Sequence, residues 1–75
     1  MTLDEFVKAF AAEFDETPEE AFKPETNFRE IDEWGSLLAL SIISMVDEQM
    51  DKVITGADIR ASKTIEDLFN IANSK

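Results

Sequence analysis

The run Glu33-Trp34-Gly35-Ser36-Leu37-Leu38 holds the residue with the clearest chemical use, Ser36, because the helical pattern that follows puts its hydroxyl at the exposed start of a helix. A hydroxyl there can act as an N-cap, accepting a backbone N–H of a helix beginning at Leu37, or as the attachment point of a covalently held group. Catalysis has little to work with. Histidine, cysteine and tyrosine are absent, so acid–base work would fall to carboxylates or lysines. Carboxylates come in pairs, at Asp4/Glu5, Glu19/Glu20, Asp32/Glu33, Asp47/Glu48 and Glu66/Asp67, yet none lies in the kind of apolar stretch that sets an acid apart from a base. They read as solvated faces. No window supplies the alternating oxygen ligands, central glycine and terminal glutamate of a calcium-binding loop, so no metal site is expected.

The elements that must position Ser36 follow from apolar spacing. Leu3, Phe6, Val7, Phe10, Ala11 and Phe14 recur at three and four residues and predict a helix over Thr2 to Phe14, opened by a capping box of Thr2 and Glu5. From Asp15 to Gly35 the periodicity fades into turn and cap residues, which predicts a long connection with one short helical turn. Ala21, Phe22, Phe28, Ile31 and Trp34 would anchor it, since an unanchored loop of roughly 20 residues is uncommon in a small domain. A second helix is expected from Ser36 to Met50, with Ala39, Ile42, Ile43, Val46 and Met50 on its core face. Leu37, Leu38 and Leu40 widen the apolar surface at its start and leave leucine exposed beside Ser36. Thr55 opens a short third helix at Ala57 to Ala61, and Thr64 opens the last, Ile65 to Asn73, whose inner face is Ile65, Leu68, Phe69 and Ala72. The expectation is one all-α domain over residues 1–75, a small four-helix bundle with a long first loop and a short third helix.

Several of these features occur together: Phe28 eight residues before Ser36, acidic residues with Trp34 between, Leu37 directly after, an amphipathic helix, then Thr64-Ile65-Glu66-Asp67-Leu68 at the last helix. Over nearly the whole chain this resembles the acyl and peptidyl carrier proteins, in which the serine of an Asp-Ser-Leu-like motif bears a phosphopantetheine arm. The resemblance implies a bundle of acyl-carrier type and a 4'-phosphopantetheine taken from coenzyme A by a phosphopantetheinyl transferase and joined to Ser36. The arm's thiol would carry acyl or aminoacyl groups as thioesters in fatty-acid or specialised acyl and peptidyl biosynthesis. The chain would then be no enzyme, and its missing cysteine no obstacle, since the sulfur comes with the cofactor. The resemblance further implies a docking surface at Leu37, Leu38, Leu40, Ser41 and Ser44, with Asp47 and Glu48 steering acyl- or aminoacyl-transferring enzymes through basic patches. For Leu40, partial core packing competes with that role. Ile42, Val46, Ile54 and Ile59 are the implied lining for an acyl chain, with plain core packing as the alternative. Gly35 stands where many relatives have the acidic residue that meets the transferase, with Asp32 and Glu33 as partial substitutes. The competing reading is a carrier-fold interaction module that is not modified.

Composition bounds the partners. Seven basic and 17 acidic residues give a net charge of −10, which repels nucleic-acid phosphates and anionic membranes and disfavours self-association, so a monomer is expected. At 44% hydrophobic the chain is too apolar for a disordered acidic tail. With no apolar run long enough to cross a bilayer, no leader pattern and no cysteine, a cytoplasmic protein without membrane insertion is expected.

Overall fold

A computed structural model describes residues 1–75 and contains four α-helices: α1 Leu3–Ala12, α2 Ser36–Met50, α3 Gly56–Ala61 and α4 Ile65–Asn73. There are no strands, only an isolated antiparallel bridge between Asn27 and Thr64. The Cα radius of gyration is 10.9 Å, close to the roughly 11 Å expected for a folded chain of this length, so the long connection is packed and not splayed out. No helix is long and apolar enough to cross a membrane.

Three of the helices start at the threonines read from the sequence. Thr2, Thr55 and Thr64 each accept the N–H of the residue three positions on, while Glu5, Asp58 and Asp67 reach back to the cap N–H. Each box satisfies two of the backbone donors that a helix start leaves open. The first helix is shorter than expected: Thr2 is its cap, and the chain leaves the α conformation after Ala12 through a tighter turn in which the Phe14 N–H donates to the Ala11 carbonyl at 3.0 Å. Phe14 nonetheless stays buried. The third helix gains Gly56 at its start.

The loop between α1 and α2 holds two 3₁₀ turns, Glu19–Ala21 and Phe28–Glu30, where the sequence suggested one. Its anchors are the aromatic ones. Phe22 and Phe28 are buried, and Phe10 is ringed by Phe14, Phe22, Phe28 and Trp34 at centroid distances of 5.6 to 6.3 Å. Ile31 and Trp34 are half-buried against this core, whereas Ala21 is exposed and anchors nothing. The loop also caps α4: the carbonyls of Thr26 and Pro24 accept the N–H groups of Ile65 and Glu66 at 3.2 and 2.9 Å. Burying Phe22 and Phe28 and half-burying Ile31 and Trp34 along one connection offsets part of the entropy of ordering it.

On α2 the buried residues are Ile42, Met45 and Val46, with Ala39, Ile43 and Met50 half-buried beside them. Met45 was missing from the expected core face. It sits three residues from Ile42 and belongs to the same stripe, which is broader than the minimal one.

Candidate functional site

Ser36 is the first residue of α2, and the cap position is Gly35, whose extended backbone (φ −174°, ψ −176°) offers no side chain to the helix. The N-cap role considered for Ser36 is therefore not realised. Its side chain is exposed, and the one hydroxyl of α2 engaged in the fold is that of Ser41, donating to the Leu37 carbonyl at 3.2 Å. The first intrahelical bond runs from the Ala39 N–H to the Gly35 carbonyl, which leaves the N–H groups of Ser36, Leu37 and Leu38 without a protein acceptor. No acidic residue occupies the first turn. The head of α2 thus presents a free hydroxyl amid unsatisfied donors at the positive end of a 15-residue helix.

The segment leading into that head is tied down by two side chains, Arg29 and Glu33. Arg29 lies over the Phe28 ring and directs one nitrogen, Nη2, at three carbonyls ending α3: Ile59 at 2.8 Å, Ser62 at 2.6 Å and Arg60. A cation on the last carbonyls of a helix satisfies groups with no partner of their own and complements the helix dipole. Glu33 ties the other side. Its carboxylate accepts the N–H groups of Asp15 at 2.8 Å, Glu16 at 3.1 Å and Thr17 at 3.0 Å, and the Thr17 hydroxyl at 2.8 Å. Desolvation pushes the Glu33 pKa up, but the bonds from Asp15, Thr17 and Glu16 outweigh it and hold the carboxyl below its ordinary value. Glu33 is a structural staple, and this removes it from the solvated acidic faces and leaves Asp32 as the exposed carboxylate of that pair.

Two concavities flank Ser36. One is an open cleft of about 440 Å³ between the heads of α2 and α3, lined by Trp34, Gly35, Ser36, Ala39, Gly56, Ile59 and both arginines. The other is a shallow groove of about 260 Å³ on the neighbouring face of α2, where Leu37, Leu40, Ser41 and Ser44 meet Met45, Glu13 and Glu48. The helical spacing separates the two sets: Ser36 and Ala39 share one row, Leu37, Leu40, Ser41 and Ser44 another.

The structure distributes the sequence-derived site residues accordingly. Leu37 and Leu40 are 79% and 62% exposed, so core packing does not claim Leu40. Leu38 instead lies half-buried against the core and outside the groove. Ser44 and Glu48 line the groove, while Asp47 is exposed one residue away from it. Ile42, Val46, Ile54 and Ile59 are all buried, and of these Ile59 alone reaches the cleft beside Ser36. Arg29 and Arg60 have no place among the sequence-derived site residues, and Glu33, taken there as a partial substitute for the missing acid, has its carboxylate used by the fold on the Asp15–Thr17 turn. Their contacts span 16 to 33 positions, and the sequence signal that marks them is scarcity: the two arginines are the chain's only ones. Comparison of the chain with family models, curated proteins and solved structures finds no match.

Proposed function

We propose that the chain is a carrier of acyl-carrier type, in which Ser36 bears a 4'-phosphopantetheine arm and the chain itself makes and breaks no bond of its cargo. The observation that carries this reading is the Ser36 hydroxyl, exposed at the head of α2 and committed to no cap. A serine kept for helix stability would be expected to use its oxygen. For attachment, Ser36 Oγ forms a bond to the phosphorus bearing the pantetheine in coenzyme A. The bond from that phosphorus to the adenosine bisphosphate breaks, and the hydroxyl proton passes to a base of the transferase. The residues present fit the group: the hydroxyl is accessible, the cleft beside it is open, and no carboxylate lines that cleft. The arm would supply a thiol to hold acyl or aminoacyl groups as thioesters, which the chain's own inventory lacks.

The groove next to Ser36 supports docking. Leu37 and Leu40 offer apolar anchors at the point where the arm leaves the helix, and Glu13 and Glu48 frame them with negative charge. That combination suits acyl- or aminoacyl-transferring enzymes, and the transferase itself, through a basic surface with an apolar pocket. The second reading, an unmodified interaction module, is favoured by one observation: Gly35 contributes no acid, and Glu33 is spent on the Asp15–Thr17 turn. Intact mass before and after incubation with coenzyme A and a broad-specificity phosphopantetheinyl transferase decides between them. A gain of one phosphopantetheine, absent in Ser36→Ala, is the expected result. No gain with any transferase tried, while the chain still binds a partner through Leu37 and Leu40, would favour the module.

A further inference from the structure

In a chain with net charge −10, both arginines line the cleft beside Ser36, and no carboxylate does. Arg29 is fixed there through Nη2 alone, which leaves its Nε and Nη1 without hydrogen bonds. Arg60 is exposed and has no ion-pair partner, since the one salt bridge in the structure joins Lys75 to Asp58. Its guanidinium lies over Gly56, where a Cβ would come within 3.3 Å of Nη1, so the glycine leaves room for it. The head of α2 lines the same cleft through Gly35 and Ser36, and there the fold leaves the N–H groups of Ser36 and Leu37 without acceptors. Two planar cations and open N–H donors at the margin of one cleft beside a free hydroxyl make an anion site, and the fork of an arginine suits phosphate oxygens in particular.

We infer that this cleft is a phosphate subsite in which Arg60, backed by Arg29 and the open N–H groups at the head of α2, holds the phosphodiester of the arm carried on Ser36. For the source of its ligand the inference rests on the carrier reading; the existence of the subsite rests on the cleft alone. The consequence is positional. A phosphodiester held at Arg60 lays the start of the arm between α2 and α3 beside Trp34, and leaves the Leu37–Leu40 groove free for a docking partner.

The test has two arms read by NMR. The unmodified chain is titrated with inorganic phosphate while the backbone N–H signals of Ser36 and Leu37 and the Trp34 indole are followed. Saturable shifts confined to these groups, lost in Arg60→Gln and partly retained in Arg60→Lys, are expected. Shifts spread evenly over the lysines, or unchanged by Arg60→Gln, overturn the subsite. Chain loaded on Ser36 is then compared by its ³¹P signal: the line should be broadened by attachment to the tumbling protein in the parent and sharpen in Arg60→Gln. Equal line widths overturn the inference. Failure of Ser36 to gain the arm counts against the carrier reading, and the phosphate titration still decides the cleft. Arg60 is exposed, so folding of its variants is expected to match the parent and is checked by circular dichroism.

Discussion

Three helices of this protein begin with a complete capping box and the fourth, α2, begins with none. At α1, α3 and α4 a threonine and an acidic residue satisfy the first N–H groups and place negative charge at the positive end of the helix. At α2 a glycine stands in the cap position, no acid lies in the first turn, and the serine that follows is unengaged. The longest helix thus starts with the least local support. Its head is held by the aromatic packing of Trp34 against Phe10 and Phe28, by Glu33 on one side and by Arg29 on the other. Local caps secure the other three starts, and the donors left open are the ones beside the hydroxyl that we propose as the tether.

The largest way to break this contrast is to remove the packing on which α2's head depends. Phe28 is fully buried and meets Trp34 edge-on at a centroid distance of 4.8 Å. Phe28→Ala should cost about 3–5 kcal/mol, enough to unfold much of a domain this small, and a urea titration followed by Trp34 fluorescence measures it. A loss under about 1 kcal/mol would mean that the aromatic cluster is not what secures the loop.

Glu33 sharpens the same point through pH. Its pKa is lowered from an ordinary 4.5, and those of Asp58 and Asp67 are lowered from 3.8. The folded state therefore binds these protons more weakly than the unfolded chain. The stability they contribute is present above the ordinary values and is lost as pH falls through that range toward the lower folded ones. Glu33→Gln should lower the urea midpoint at neutral pH, and the gap from the parent should close as the solution is acidified below about pH 4.5. A gap constant with pH would show that the Glu33 charge is not what the Asp15–Thr17 turn responds to.

The contrast between capped and uncapped starts is tested most directly by paired substitutions. Thr64→Ala removes the oxygen that accepts the Asp67 N–H and should cost about 1 kcal/mol. Ser36→Ala removes an oxygen that caps nothing, so its stability should stay within about 0.5 kcal/mol of the parent. If Ser36→Ala proved as costly as Thr64→Ala, the hydroxyl would have a structural duty and the case for a free tether would weaken.

Much of this was legible in the sequence because it is written locally. The three capping boxes lie within four residues each, and the breaks in apolar periodicity mark the helices to within a residue or two. Phe22 and Phe28 stand out as large apolar residues in a polar loop. What could not be read is long-range and polar. Nothing in the spacing shows that Glu33 reaches back to Asp15, or that Arg29 crosses to the end of α3, because side-chain-to-backbone bonds of that span follow no period. Ser62, fully buried with its hydroxyl donating to the Asp58 carbonyl at 3.0 Å, carries no mark in the sequence that separates it from an exposed serine. The candidate site shared this split: Ser36 and its leucines came from pattern, the two arginines only from the fold.

The smallest expected effect comes from supplying the cap that α2 lacks. At Gly35 the backbone is extended and a Cβ would meet nothing within 4 Å, so Gly35→Asp introduces no steric cost. A carboxylate there can accept an open N–H, which is worth a few tenths of a kcal/mol over glycine, and gains about 0.3–1 kcal/mol from the helix dipole. The surrounding negative charge works against this, so a net gain below about 1 kcal/mol is expected in the urea midpoint. The same substitution should weaken the response of the Ser36 and Leu37 N–H signals to phosphate, because the new carboxylate occupies the donors that phosphate would use. If Gly35→Asp stabilised α2 and left the phosphate response intact, the anion would be held by the arginines alone. If it destabilised the chain, the open N–H groups would already have a partner, and the contrast between α2 and the other three helices would lose its physical basis.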